Sequence, residues 1–307
     1  MEKVSVITPL YKSEKYITEL YKRISQTLKE LGLEYEIIFV DDCYGDKSLE
    51  IARNILKNDK KIKIIKLSRN FGQHAAINAG IDNADGNWLV TIDSDLQDSP
   101  EEIRNLYKKA KEGYDIVLAK RLNRKDSFIK KSTSFIFSKI ASYMSGFEVD
   151  YRTSNFGIYS KRVIENYKSL PESKLFFPFI VQWLGFPKSA IEVDHSERLH
   201  DKSSYSISKL LNLAFDSILY SSTKPLLTTI KIGLFISILS FIYSGYIIFK
   251  KFAYGIPVLG WASTTASIWF LSGLIITVIG VVGAYVGKVF EETKKRPMYI
   301  IEEIYKD

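Results

Sequence analysis

The stretch SRNFGQHAAINAGIDNADGNWLVTIDSDLQDSPEEI, Ser68 to Ile103, decides the fold. It leaves a polar cluster, Ser68-Arg69-Asn70, and enters a segment, Gly72 to Ile81, that reads as a helix. An apolar strand follows, Trp88 to Ile92, and ends in Asp93-Ser94-Asp95. Pro100 then opens another helix, because its fixed φ suits the first helical turn.

The same alternation extends to both sides. Upstream, Val4 to Thr8 is a short apolar strand stopped by Pro9. Glu14 to Leu31 carries Ile17, Leu20, Tyr21, Ile24 and Leu28 at helical spacing, with Gly32 as its stop. Glu36 to Val40 is a second strand ending in Asp41-Asp42; Lys47 to Leu56 returns as a helix, and Ile62 to Leu67 is a third strand. Downstream, Asp115 to Ala119 is a fifth strand. Strands and helices in this order predict an α/β domain with a mostly parallel sheet and helices on both faces. Ligands of such sheets bind beyond the carboxyl ends of the strands. Tyr11, Asp41-Asp42, Ser68-Arg69-Asn70 and Asp93-Ser94-Asp95 all stand there.

Asp93 and Asp95 are two apart at a strand end, so both side chains point one way if the backbone stays extended. Convergent carboxylates make a hard-oxygen site for Mg²⁺ or Mn²⁺, with substrate phosphates completing the shell. The alternative is a solvated turn. Asp41 and Asp42 suit either a nucleobase or ribose contact or an Asx turn. Arg69 suits either a phosphate or a surface carboxylate. Neither G-x-G-x-x-G nor G-x-x-x-x-G-K-[ST] occurs, so a dinucleotide oxidoreductase and a P-loop NTPase lack their phosphate cradle.

Beyond Lys224 the composition changes. Ile232 to Phe249 and Val258 to Gly287 carry no charge, and each is long enough for the ~20 helical residues that cross a bilayer core. We expect a hairpin of spans over 225–250 and 258–287. Lys224, Lys231, Lys288, Lys294, Lys295 and Arg296 flank its ends, against Lys250 and Lys251 in the turn. The positive-inside rule then places residues 1–200 and the tail 288–307 in the cytoplasm, on a plasma (bacterial inner) membrane crossed twice. Phe128 to Phe147 and Tyr205 to Tyr220 mix apolar and basic residues, and the second, within a juxtamembrane segment 201–224, is expected to lie in the interface. Gly280, Gly283 and Gly287 offer a close helix approach for a homo-oligomer.

The 307 residues include 43 Lys+Arg and 35 Asp+Glu, a net charge of +8. That charge suits an anionic leaflet better than nucleic acid, because the basic residues are dispersed and no nucleic-acid motif occurs. The lone Cys43 excludes an internal disulfide and a Cys-type zinc site. His74, His195 and His200 have no zinc spacing.

The Ser68–Ile103 block, with VSVITPLY, the FVDD strand end, RLHDKSSYSISKL and the two apolar runs, resembles the family-2 glycosyltransferases of GT-A fold. It is most similar to the polyprenyl-phosphate glycosyltransferases, the group of dolichol-phosphate mannose synthases and bacterial undecaprenyl-phosphate glucosyl- and aminoarabinosyltransferases. The resemblance covers essentially the whole chain. It implies an inverting transfer of a sugar from a nucleotide-sugar, UDP-linked by preference, to a polyprenyl phosphate at the cytoplasmic face.

Residue by residue, the resemblance assigns Pro9, Tyr11, Asp41 and Asp42 to the base and ribose, and Arg69 and Asp93 to the diphosphate pocket. Asp95 becomes the main metal ligand, with Asp93 beside it, and Gln97 lies near the donor sugar. Arg198, Lys202, Ser203 and Ser204 would clamp a phosphate. The chain departs from the pattern at three places. Cys43-Tyr44 stands where relatives have Gly-Ser, and Asp201 stands where they have glycine. Asn155 stands where they carry the aspartate proposed as base. The last departure keeps a rival in view, a non-catalytic membrane-bound nucleotide-sugar-binding homologue or scaffold. A processive polysaccharide synthase would need more spans than two, and a transporter would need ionisable groups within them.

Overall fold

A computed structural model describes residues 2–43, 45–121, 139, 142, 153–170, 177–193, 223–254 and 260–306. Two units divide the chain, one of residues 1–139, 147–205 and 296–307, the other of residues 140–146 and 206–295.

The first unit is built on an eight-stranded sheet in the order β7-β5-β6-β4-β1-β2-β3-β8. Its strands are β1 (Lys3–Leu10), β2 (Glu34–Asp41), β3 (Ile62–Leu67), β4 (Trp88–Thr91), β5 (Ile116–Arg121), β6 (Thr153–Ser160), β7 (Lys188–Val193) and β8 (Ile301–Tyr305). The block β4-β1-β2-β3 is parallel throughout, and β5 pairs parallel with β7. β6 runs antiparallel to both β4 and β5, and β8 runs antiparallel to β3. The sheet is therefore mostly parallel, as the alternation of elements predicts.

Buried on both faces, the central strands are continuous apolar runs rather than alternating ones. Val4, Val6, Leu10, Ile37 and Phe39 face one core, which receives Ile17, Leu20, Ile24 and Leu28 of α1 (Ile17–Glu30), Ala52 of α2 (Ser48–Leu56) and Ile103 and Leu106 of α4 (Ile103–Ala110). Ile7, Ile38, Val40 and Ile65 face the other. That core receives Ala76 and Ile77 of α3 (Gln73–Asp82), Val163 and Tyr167 of α5 (Lys161–Lys168) and Phe177 of α6 (Phe177–Trp183). Pro100 opens a 3₁₀ turn, Pro100–Glu102, that runs directly into α4.

Two features depart from a simple β-α-β reading. First, β6 enters between β4 and β5, so the fourth and fifth strands are not neighbours. Second, the tail beyond the last helix returns to the sheet. β8 pairs with β3, Lys66 pairs with Glu302 at 2.7 Å, the Arg53 guanidinium lies 4.6 Å above the Tyr305 ring centroid, and Ser68 N–H donates to the Ile300 carbonyl at 2.9 Å.

The second unit contains α7 (Lys224–Tyr254) and α8 (Trp261–Thr293). Leu226–Ala253 and Ser267–Thr293 each contain an 18-residue window with a mean hydropathy of 2.1. At 1.5 Å per residue each is about 40 Å long, more than the ~30 Å hydrocarbon core. Phe241, Phe252 and Trp269 are exposed, which separates these helices from the buried helix of a soluble core. Both are long and apolar enough to cross a membrane. The expected interfacial segments, Phe128 to Phe147 and Tyr205 to Tyr220, lie outside the described residues apart from 139 and 142.

Candidate functional site

The parallel register aligns the carboxyl ends of the central strands. Leu10 lies opposite Asp41, Asp41 opposite Lys66, and Ile7 opposite Thr91. Ile92 N–H donates to the Ile7 carbonyl at 3.1 Å, and Asp42 N–H to that of Leu10 at 3.4 Å. The loops after β1, β2, β3 and β4 consequently rise side by side from one sheet edge; Tyr11, Asp42, Arg69, Asp93, Asp95 and Gln97 stand on them, and Pro9 and Asp41 stand at the ends of β1 and β2.

The loop after β1 carries Tyr11, which is 48% exposed, with the Lys12 ammonium 5.8 Å from its ring centroid. Buried serines hold its backbone. Ser13 Oγ accepts from Tyr11 N–H at 2.9 Å and shares a hydrogen bond with Ser94 Oγ at 2.5 Å. Ser13 N–H donates to Ser48 Oγ at 3.2 Å, and Ser48 Oγ donates to Asp46 Oδ2 at 2.8 Å. Three loops are tied together by hydroxyl groups, an arrangement the sequence reading did not identify. Isolated serines carry no periodic signal.

β2 ends in one buried carboxylate, Asp41, and the loop after it begins with another, Asp42. Burial pushes the Asp41 pKa above the ordinary carboxylate value, against the Cys43 backbone N–H, which favours the charge. Asp42 is 2% exposed. Its Oδ1 accepts the Phe71 N–H at 2.7 Å and its Oδ2 the Gly72 N–H at 3.0 Å. Burial raises this pKa as well, and the two backbone donors oppose the rise. The Asp42 carboxylate therefore grips the loop after β3. Cys43 follows with φ +53°, a left-handed conformation unusual for a side chain with a Cβ.

On the loop after β3, the Arg69 guanidinium lies 4.2 Å above the Phe71 ring centroid. Gly72, at φ +96°, is the residue before α3, and its lack of a Cβ permits the left-handed turn into that helix. Gln73, the first residue of α3, donates from Nε2 to Asp93 Oδ1 at 2.6 Å. Next to it, desolvation lowers the His74 pKa to about 4, so this imidazole is neutral at pH 7.

The loop after β4 carries the acidic pair. Asp95 Oδ1 accepts the Gln97 N–H at 3.1 Å, an Asx-type turn that fixes Gln97 beside it, and Leu96 between them has φ +57°. Asp93 and Asp95 are both half-buried. Two carboxylates are a hard-oxygen donor set, and among the described residues no group of three His, Cys, Asp or Glu side chains could hold a metal ion. That donor chemistry fits a hard divalent cation.

Asn155 comes from β6. Thr91 pairs with Gly157 in the antiparallel β4–β6 ladder, and the Thr91 hydroxyl donates to the Asn155 carbonyl. The register pairs Trp88 with Ser160 and Thr91 with Gly157. Arg198, Lys202, Ser203 and Ser204 lie outside the described residues.

Comparison with known proteins fits this geometry. The description Glycosyl transferase family 2 matches residues 5–168. The chain is 35% identical over 305 residues to the SfII prophage-derived bactoprenol glucosyl transferase of Shigella flexneri, covering 99% of each protein. It is 34% identical over 312 residues to the undecaprenyl-phosphate 4-deoxy-4-formamido-L-arabinose transferase of Proteus mirabilis, covering 99% of this chain and 94% of that one. Among solved structures it is similar to glucosyl-3-phosphoglycerate synthase from Mycobacterium tuberculosis in complex with Mn²⁺, UDP and phosphoglyceric acid. The TM-score is 0.53 at 17% identity, over 71% of this chain and 76% of that one. At that identity the likeness is one of fold.

Proposed function

Because this chain belongs to glycosyl transferase family 2, and is by that membership a glycosyltransferase, we propose that it moves a sugar from a nucleotide-sugar to a polyprenyl phosphate at a membrane surface. The observation that carries this reading is similarity over nearly the whole chain, apolar helices included, to two enzymes named for prenyl-phosphate acceptors. A donor linked to UDP is in keeping with the fold neighbour, which was crystallised with that nucleotide.

The site supports the chemistry group by group. Tyr11 and Asp41 would meet the base and ribose, and Arg69 would supply a guanidinium for phosphate. Asp95 and Asp93 would hold Mg²⁺ or Mn²⁺, which supplies charge neutralisation to a departing diphosphate. The acceptor needs no strong base. A phosphate monoester has a second pKa near 6, so its oxygen is already anionic at pH 7. Positioning and charge screening then govern attack at the anomeric carbon, and a single displacement inverts its configuration. Asn155 cannot take a proton, but its amide can orient the phosphate or a sugar hydroxyl.

The pairing of β8 supports a hairpin topology. The tail after α8 belongs to the same sheet as the catalytic strands. A chain whose domain and tail share one sheet must cross a bilayer an even number of times. With α7 and α8 as the two spans, the basic residues flanking their ends favour a cytoplasmic catalytic domain.

The test is a transfer assay on the full chain in detergent with undecaprenyl phosphate, Mg²⁺ or Mn²⁺, and UDP-, GDP- and dTDP-sugars. A lipid-linked sugar from one donor is the expected product, and Asp95→Ala is expected to abolish it while the protein stays folded. Full activity of Asp95→Ala without added metal would refute the metal assignment. Donor binding without product from any sugar would favour the scaffold reading, which Asn155 motivates.

A further inference from the structure

The bond from Gln73 to Asp93 has a role that the donor and metal residues do not account for. A carboxylate only accepts, so it is the amide N–H₂ of Gln73 that faces Asp93 Oδ1, at 2.6 Å. That bond holds one oxygen of the acidic pair. The backbone beneath Gln73 is held in turn by Asp42, through the N–H groups of Phe71 and Gly72. Asp42 follows β2 and Asp93 follows β4, with β1 between those strands in the sheet. The sequence Asp42, loop, Gln73, Asp93 is thus a brace over the end of β1, joining the nucleotide edge to the acidic pair.

We propose that Gln73 is a positioning residue that fixes the rotamer of Asp93 for a divalent cation and the donor diphosphate. This rests on the metal reading given above. Ligating carboxylates commonly need such outer hydrogen-bond partners, and their loss costs about 10- to 100-fold in metal affinity. A glutamine at the first position of a helix is ordinarily free to turn to solvent. Here it is half-buried and committed to one carboxylate oxygen.

The experiment uses the full chain in detergent and reads Mn²⁺ binding directly by electron paramagnetic resonance of the free ion, with UDP present. Gln73→Met keeps the length of the side chain without the donor, and Gln73→Ala removes both. Each is expected to raise the Mn²⁺ concentration for half-saturation by about 10-fold or more. UDP binding in EDTA, read by calorimetry, is expected to stay within about two-fold of wild type. Half-saturation within two-fold of wild type for both variants would overturn the inference alone. So would an equal loss of metal-free UDP binding, which assigns Gln73 to the loop and not to Asp93. A wild-type protein that binds no Mn²⁺ with UDP would overturn the metal reading and this inference together.

Discussion

Replacing Asp42 by alanine asks whether the loop that carries Arg69 is held from β2. The carboxylate accepts the Phe71 and Gly72 N–H groups at 2.7 and 3.0 Å, and alanine leaves both without it. A buried donor left unsatisfied costs about 1–3 kcal/mol. Phe71 and Gly72 are only half-buried, so water reaches them and the lower bound applies, about 2 kcal/mol for the pair. Against this stands the cost of keeping a buried carboxylate charged. The raised Asp42 pKa shows that its two donors do not fully offset that cost, and alanine removes it. The net expectation is a loss of about 1–2 kcal/mol, which for a domain of roughly 200 residues lowers Tm by about 2–8 °C. Asp42→Asn keeps one accepting oxygen and should fall between wild type and alanine. Thermal unfolding of the full chain by tryptophan fluorescence reads the stability, and calorimetry reads UDP binding. We expect UDP affinity to fall about 10-fold in the alanine variant, equivalent to ~1.4 kcal/mol. A Tm within about 1 °C of wild type with UDP affinity intact would refute the reasoning. An unchanged Tm with UDP binding abolished in both variants would instead assign Asp42 to the nucleotide itself.

Other perturbations probe neighbouring features. Asp41→Asn should raise Tm and weaken donor binding, because burial raises the folded pKa of Asp41. The sign is fixed by linkage. The folded state holds the proton more tightly, so wild-type stability falls as pH rises from about 4 through the folded pKa, while the asparagine variant is unaffected. The Tm advantage of the variant should therefore grow from near zero at pH 4 to a plateau above the folded pKa, and a pH-independent difference would contradict it. Asn155→Asp should keep or raise turnover in the transfer assay; complete loss with donor binding intact would show that the amide has its own role. Gly157→Ala should cost about 1–3 kcal/mol through overpacking. Its Cβ would lie 3.0 Å from the Val117 carbonyl oxygen, a backbone atom that cannot turn away. The push on β6 should also slow transfer through Asn155, and a variant with wild-type Tm and rate would contradict the packing argument.

Some of this was settled along the chain itself. Strand and helix periodicity, the apolar length of 225–250 and 258–287, and the position of Asp93 and Asp95 at a strand end are local properties, so they are legible without a fold. The helix expected over Glu14–Leu31 forms as Ile17–Glu30, and the strand expected over Ile62–Leu67 forms as drawn. Solvent exclusion acts on each segment through its own pattern of apolar residues, and that pattern is written in order.

Other features are decided only when distant segments meet. No periodicity distinguishes β6 as the antiparallel partner of β4, yet that pairing brings the Asn155 carbonyl to the Thr91 hydroxyl at the end of β4. Nor does IEEIY at Ile301–Tyr305 announce that it will close the sheet beside β3 rather than trail from the last helix. The carboxylates show the same division. The sequence placed Asp42 and Asp93 at one sheet edge. Which donors they meet, the Phe71 and Gly72 backbone for one and the Gln73 amide for the other, depended on which loops stand side by side. A hydrogen bond is set by distance and direction in space, and those are properties of the tertiary structure.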